Sequence, residues 1–184
     1  MTTAAPAEIV RIGAKLYAED PEAIDLEAFI PLFHGWIQER ALDGVPIDVA
    51  DYGHVPHGPG VMLIGHEADR SLDLGEGRPG ALYQRKRDGE GSLEDRLAAV
   101  IEAADGLADD IEDDPAAAGV RFGRDEILLR VTDRLAAPND DATLDALRPA
   151  IEAALTRTRP GRAASIARVT EDPRGPFRAR VALT

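Results

Sequence analysis

The sequence contains no cysteine, only two lysines (Lys15 and Lys86), and 4% aromatic residues. Without cysteine there is no disulfide, no thiolate nucleophile and no zinc–thiolate site. No apolar run approaches the length of about 18 residues that a membrane helix needs, so no membrane-embedded function is expected. The first residues lack a basic segment followed by an apolar core. We therefore expect a cytoplasmic protein.

The charge balance excludes another class of partner. The formal net charge is −13, with 34 acidic residues against 21 basic ones. A surface this acidic repels phosphate backbones, so a nucleic-acid partner is not expected. The 44% of hydrophobic residues is ordinary for a globular protein, and 184 residues fit one compact domain.

Residues 46–67 carry three of the four histidines and the densest glycine–proline turn signal. Residues 47–52 alternate apolar and polar, and residues 61–64 form a short apolar run, so both segments are predicted strands. The intervening His-Gly-Pro-Gly segment predicts a hairpin turn. With the turn centred on Gly58 and Pro59, Pro56 faces Val61 and Asp51 faces His66.

Residues 163–184 are interpreted as a degenerate second copy of this stretch, the alternative being two similar motifs that arose separately. Pro56, Gly58 and Pro59 correspond to Pro173, Gly175 and Pro176, an offset of 117 residues. The correspondence continues upstream at an offset of 118. It predicts a first βαββ unit with an extra strand over residues 7–87, a linking helix and linker over 88–124, and a second βαββ unit over 125–184.

The periodicity predicts the elements of both units. Strands are expected at residues 8–17, 81–86, 126–133, 164–170 and 177–183, whereas residues 70–74 fit either a strand or a turn. Helices are expected at 25–42 with a kink at Pro31, at 92–112 behind a capping box, and at about 144–158. The expected fold is therefore α+β: tandem βαββ repeats with pseudo-twofold symmetry, whose antiparallel sheet is covered by helices on one side.

The histidines are the obvious candidates for chemistry. His54, His57, His66 and Glu67 could bind a divalent metal through nitrogen and oxygen ligands. Alternatively, Asp51 could orient His66 for acid–base catalysis. A third reading is structural, with His54 and His57 exposed in a loop and His66 paired to Asp51. The second copy has Arg168, Arg174 and Leu183 in place of Asp51, His57 and His66, so a site belongs in the first copy or in the groove between the two.

Two runs of residues suggest a resemblance. HVPHGPGVMLIGHE (residues 54–67) and TDRLAAPND (132–140) look like segments of an uncharacterised bacterial family of similar length, which implies no activity. The tandem arrangement also loosely resembles the paired modules of the vicinal oxygen chelate enzymes. Their metal ligands lie on strands of both modules, but here the first strand and the second unit contain no histidine, which argues against their chemistry.

Two functions remain open from the sequence. The first is a protein, enzymatic or not, that binds a small molecule or a metal at the first hairpin or in the groove between the units. The second is a non-catalytic homo-oligomeric or partner-binding subunit, such as a homodimer, with Phe33, Trp36 and the sheet edges at the interface.

Overall fold

The computed structural model describes residues 9–39, 44–87, 89–170, 172 and 174–184. In this part of the chain three α-helices accompany one eight-stranded sheet. The strands are β1 (Ile12–Ala18), β2 (Pro46–Tyr52), β3 (Gly60–Gly65), β4 (Ala68–Asp73), β5 (Gly80–Arg85), β6 (Phe122–Val131), β7 (Ala164–Arg168) and β8 (Phe177–Leu183). The helices are α1 (Leu26–Glu39), α2 (Leu93–Asp113) and α3 (Asp141–Thr158).

Every neighbouring pair of strands in the sheet is antiparallel, in the order β2-β3-β4-β5-β1-β6-β8-β7. The first strands of the two predicted units, β1 and β6, lie side by side near the middle. The two units differ in their pairing. In the second unit β8 pairs directly with β6, whereas in the first unit β4 and β5 lie between β3 and β1.

The helices pack on one face of the sheet because the strands alternate. Ile12, Ala14 and Leu16 of β1 join one hydrophobic core with the apolar faces of all three helices. Gly13, Lys15 and Tyr17 of the same strand point to the opposite, helix-free face. The α+β architecture, with helices on one side of an antiparallel sheet, is as predicted.

Local signals account for the helices. Ser92 caps α2, and its hydroxyl accepts from the Asp95 backbone N–H while the Asp95 carboxylate accepts from the Ser92 backbone N–H. This capping box satisfies N–H groups that a helix terminus leaves without partners. The apolar stripe of α2 is buried, and the helix contacts β1 and β5 of the first predicted unit and α3 of the second. Pro31 and Pro149 lie inside α1 and α3. No helix of the described chain is long and apolar enough to cross a bilayer.

One expectation about the first predicted unit needs correction. The hairpin register is different, since Asp51 faces Val61 and Tyr52 faces Gly60. The connecting loop is therefore longer than a four-residue turn, and Asp51 does not face His66. Of the two alternatives left open for residues 70–74, the structure has the strand, since residues 68–73 form β4. The predicted end of the first helix, beyond Glu39, lies outside the described residues.

The aromatic residues of α1 are core residues. Phe33 is fully buried, and Trp36 is 7% exposed, with its Nε1 donating to Asp114 Oδ2 at 3.0 Å. Both rings pack in the core beneath the sheet, because the apolar face of an amphipathic helix is the face that the sheet covers. The expectation that these two side chains form an oligomer interface is therefore wrong.

Candidate functional site

A network of charged side chains lies on the helix-free face of the sheet. Lys15 is only 1% exposed, and its Nζ donates to Asp73 Oδ2 at 2.6 Å and to the Gly75 carbonyl at 3.0 Å. Glu76 lies 3.5 Å from the same Nζ and also binds Arg178. A buried charge is tolerated only when it is paired and hydrogen-bonded, and this network meets that condition for Lys15.

Two glycines let long side chains cross this face. Lys15 reaches Asp73, two strands away, across Gly80 of β5, where an added Cβ would lie 2.8 Å from Lys15 Cε. In the same way, Gly13 of β1 leaves room for a contact between its two neighbouring strands. An added Cβ at Gly13 would lie 2.6 Å from Gln84 Oε1.

Arg130 of β6 uses the space above Gly13. Its Nε donates to Gln84 Oε1 at 2.9 Å, and the Gln84 amide is held in turn by donation from Nε2 to the Arg85 carbonyl at 3.1 Å. Within the described chain, no carboxylate lies within ion-pair distance of the Arg130 guanidinium. Burial lowers its pKa, and the more distant charges of Asp73 and Glu76 offset this only in part. Arg130 is therefore a semi-buried cation without a direct counter-ion among the described residues.

A second cluster lies beside this network. Arg78 binds Glu126 through two hydrogen bonds of 2.7 and 3.0 Å, and this contact raises the pKa of Arg78. The Arg78 guanidinium also lies 3.6 Å from the centre of the Tyr17 ring, a cation–π distance. Burial, together with the charge of Glu76, raises the pKa of Tyr17 to about 12. Its hydroxyl is buried and has no hydrogen-bond partner among the described residues.

A pocket of about 380 Å³ opens over the Lys15 network. Its floor includes Asp73, Glu76, Arg130 and Arg178. One wall is the turn between β2 and β3, at residues 57–59, and the other is the turn between β7 and β8, at residues 172 and 175–176. The two Pro-x-Gly-Pro segments, which correspond to each other in the sequence at an offset of 117 residues, thus contribute to opposite sides of one cavity. Pro173 itself lies outside the described residues.

Backbone strain concentrates at the same pocket. His57 (φ 54°) and Glu76 (φ 60°) are the two residues other than glycine that adopt positive φ in the described chain. Both line this pocket. The left-handed conformation costs an L-residue other than glycine about 1–2 kcal/mol. Strain of this kind persists where the surrounding structure imposes it, and it clusters at functional sites.

Both turns are held by hydrogen bonds. The Gly58 carbonyl accepts from Leu74 N at 3.0 Å, which ties the first turn to the end of β4. Asn139 is 6% exposed, and its Nδ2 donates to the carbonyls of Asp172 at 2.9 Å and Val169 at 3.2 Å, which ties down the second turn. The two sequence runs at 54–67 and 132–140 therefore both shape this pocket.

The predicted site residues are spread over three pockets. Asp51 and His54 line a pocket beside α1, together with Leu26 and Ile30. His66 lies with Arg11, Lys86 and Arg87 at another position, and its carbonyl accepts from Arg87 Nε at 3.2 Å. His57 alone lines the pocket between the turns, and Glu67 is exposed.

This arrangement does not assemble the predicted metal site. The described residues include no group of three or more histidine, aspartate or glutamate side chains that could hold a metal ion. The Asp51–His66 pair is absent because the register places Val61 opposite Asp51. The acid–base role that depended on this pair loses its structural basis.

Sequence reasoning missed the charged floor of the pocket. Lys15, Arg130 and Arg178 lie on predicted strands, in a sheet that was expected to be covered by helices on one side only. One signal was available, because Lys15 is one of only two lysines and is flanked by apolar and glycine residues in the first strand. Its partners Asp73 and Glu76 are distant in sequence and follow only from the strand order.

Comparison with known proteins adds no assignment, since the chain matches no protein-family model and no functionally curated protein.

Proposed function

We propose that this protein binds a small polar molecule in the pocket between its two Pro-x-Gly-Pro turns. The observation that carries the proposal is the convergence of both turns on one cavity with a charged floor. A volume of about 380 Å³ lies in the range of small-molecule pockets, toward its small end. The strained residues His57 and Glu76 support the same location, because unfavourable backbone geometry is retained where function needs it.

The pocket lies between two duplicated units in this proposal. Omitting the hairpin β4–β5 turns the strand order into β2-β3-β1-β6-β8-β7, in which β2, β3 and β1 mirror β7, β8 and β6. Inserting two antiparallel strands leaves the directions of all other strands unchanged, so such a hairpin can be added without disturbing the rest. The internal prolines of α1 and α3 fit the same correspondence. Superposition of the two units should therefore place Pro31 on Pro149 and Gly58 on Gly175.

The binding proposal is tested by protein-observed NMR with a fragment library of small anionic, neutral and cationic compounds. We expect hits to shift the backbone amide signals of Gly58 and Gly175 together, because these residues lie in opposite walls of the pocket. Gly119, which lies in a separate loop with open space around it, serves as the internal control. A library that shifts neither wall, or that acts only near His54 or His66, would contradict the proposal.

A second candidate function is association through the edge of the sheet. Val45 and Ile47 are 63% and 59% exposed, and Tyr52 is 41% exposed, on or next to the edge strand β2. An exposed edge strand offers unpaired backbone groups, and apolar side chains beside it favour contact with another chain. This candidate retains the sheet edge as an interface but not Phe33 or Trp36.

A further inference from the structure

The chemistry of the pocket floor restricts the ligand that the proposed function requires. Three cations lie in or beneath this floor: Lys15, Arg130 and Arg178. Lys15 pairs with Asp73 and Glu76, and Arg178 also pairs with Glu76. In the floor itself, two carboxylates thus face two paired cations, and Arg130 adds one further positive charge. The third carboxylate of the pocket, Asp172, lies in the wall, where it accepts a hydrogen bond from the Arg174 backbone N–H.

The guanidinium of Arg130 is presented with a defined orientation. The hydrogen bond from Nε to Gln84 Oε1 across Gly13 holds one side of the group. Its Nη groups have no acceptor among the described residues, and Arg130 lines the pocket. A guanidinium fixed at Nε and open at its Nη atoms suits a planar two-oxygen acceptor.

We propose that the ligand carries a single carboxylate, which binds the Nη groups of Arg130 and supplies its missing counter-ion. This inference rests on the proposed function of the same pocket. A neutral ligand would leave the Arg130 charge without a counter-ion. A phosphate dianion would bring a second negative charge beside Asp73 and Glu76, where the described floor has no further uncompensated cation. The remainder of the ligand is small, because the cavity is about 380 Å³.

The test compares matched compounds by their effect on the Arg130 Nε–Hε signal in ¹⁵N spectra of the full chain. One set is benzoate, benzamide and phenyl phosphate, and the other is acetate, acetamide and inorganic phosphate. We expect saturable shifts with the carboxylates. Each amide should bind at least about tenfold more weakly than its matching carboxylate, because a charge-assisted hydrogen bond is lost. The phosphates should bind more weakly than the carboxylates.

Two variants test whether carboxylate binding depends on Arg130. One removes the positive charge of Arg130, and the other neutralises it. Arg130→Gln removes the cation, and carboxylate binding, followed through the amides of Gly58 and Gly175, should fall about tenfold or more. Gln84→Glu keeps the shape of residue 84 and places a carboxylate against Arg130 Nε, while it loses the hydrogen bond from Gln84 Nε2 to the Arg85 carbonyl. We expect it to remain folded and to weaken carboxylate binding by a similar factor. Arg134→Gln, at an exposed arginine outside this pocket, is the matched control and should change nothing.

Several results would overturn the inference. These are equal binding of acids and amides, tighter binding of the phosphates, no shift with any of the six compounds, or a folded Gln84→Glu protein with unchanged carboxylate affinity. If neutral or cationic fragments shift both turns while the carboxylates do not, the ligand class is wrong and the binding site stands. If no fragment of any charge shifts both turns, the proposed function itself fails.

Discussion

At the scale of single residues, two glycines decide which partners the charged side chains on the helix-free face reach. Lys15 and Arg130 lie on the neighbouring strands β1 and β6 and point to the same face of the sheet. Lys15 is neutralised by carboxylates, whereas Arg130 is not. The difference comes from the two glycines that open a path across the sheet. Gly80 leads Lys15 to Asp73, whereas Gly13 leads Arg130 to an uncharged glutamine. The positive charge left at Arg130 is the one that the proposed carboxylate ligand would neutralise.

Tyr17 provides a residue-scale prediction with a defined pH dependence. Burial, and then the charge of Glu76, raise its pKa in the folded protein to about 12, against about 10 in the unfolded chain. The folded state therefore holds the phenolic proton more tightly. Between pH 10 and 12 the unfolded chain loses this proton first, so the free energy of unfolding falls as pH rises, by about 2–3 kcal/mol in all.

Urea unfolding at several pH values from 9.5 to 12 measures this loss. Tyr17→Phe should remove the Tyr17 share of the decrease, so its stability should depend less on pH than that of the wild type. Tyr52→Phe, at a residue that is 41% exposed, is the matched control and should follow the wild type. Parallel curves for wild type and Tyr17→Phe would show that Tyr17 does not contribute.

At the scale of elements, local sequence signals predict a helix or strand reliably where the residues that determine it all lie within that segment. The capping box at Ser92 and Asp95 begins α2, and the alternation in β1 and β8 sorts apolar from charged faces. The hairpin β2–β3 shows the limit. Its Pro-x-Gly-Pro segment marks the turn, but residues 53–59 all lie in the connection, so the register differs from that of a tight turn. A shift in register changes every cross-strand partner, and for this reason the predicted Asp51–His66 pair does not form.

Gly60 provides the element-scale prediction. It starts β3 at φ 63°, and an added Cβ would lie 2.0 Å from the Leu72 carbonyl oxygen of β4. Gly60→Ala should therefore separate the first turn from β4 and destabilise the protein by more than the roughly 1–2 kcal/mol of backbone strain alone. Urea unfolding and amide exchange of β3 and β4 measure the two effects.

Gly119→Ala is the control for Gly60→Ala, because Gly119 has φ 92° but no atom within 4 Å of the added Cβ. This variant should show the strain without the steric clash. Equal losses of stability in the two variants would mean that the close approach at Gly60 does not matter.

At the scale of the whole molecule, strand order brings the distant parts of the site together. β1 and β6 are neighbours although more than a hundred residues separate them, and this adjacency places Lys15 near Arg130 and one turn opposite the other. The sheet also ends in the edge strand β2 with exposed apolar side chains, on which the second candidate function depends.

The second candidate function predicts self-association through β2. Light scattering during size-exclusion chromatography should then show a mass above 19.7 kDa, and Ile47→Lys should lower it by adding charge to the edge. Leu135→Lys makes the same change at a side chain that is 94% exposed in a different loop, and it should have no effect. A monomer at all concentrations, or equal effects of the two variants, would exclude this interface.

The sequence by itself determined the types and approximate bounds of the elements, the capping of α2, the α+β class and the existence of a turn at Gly58. These depend on helical period, strand alternation and side-chain hydrogen bonds within a few residues. It also predicted a site at the histidine-bearing first hairpin or in the groove between the two predicted units, and this stays a prediction. It did not determine the hairpin register, the insertion of β4 and β5 between β3 and β1, or the pairing of Lys15 with Asp73 and of Arg130 with Gln84. Those depend on which strands become neighbours, and only packing of the whole sheet against three helices decides that.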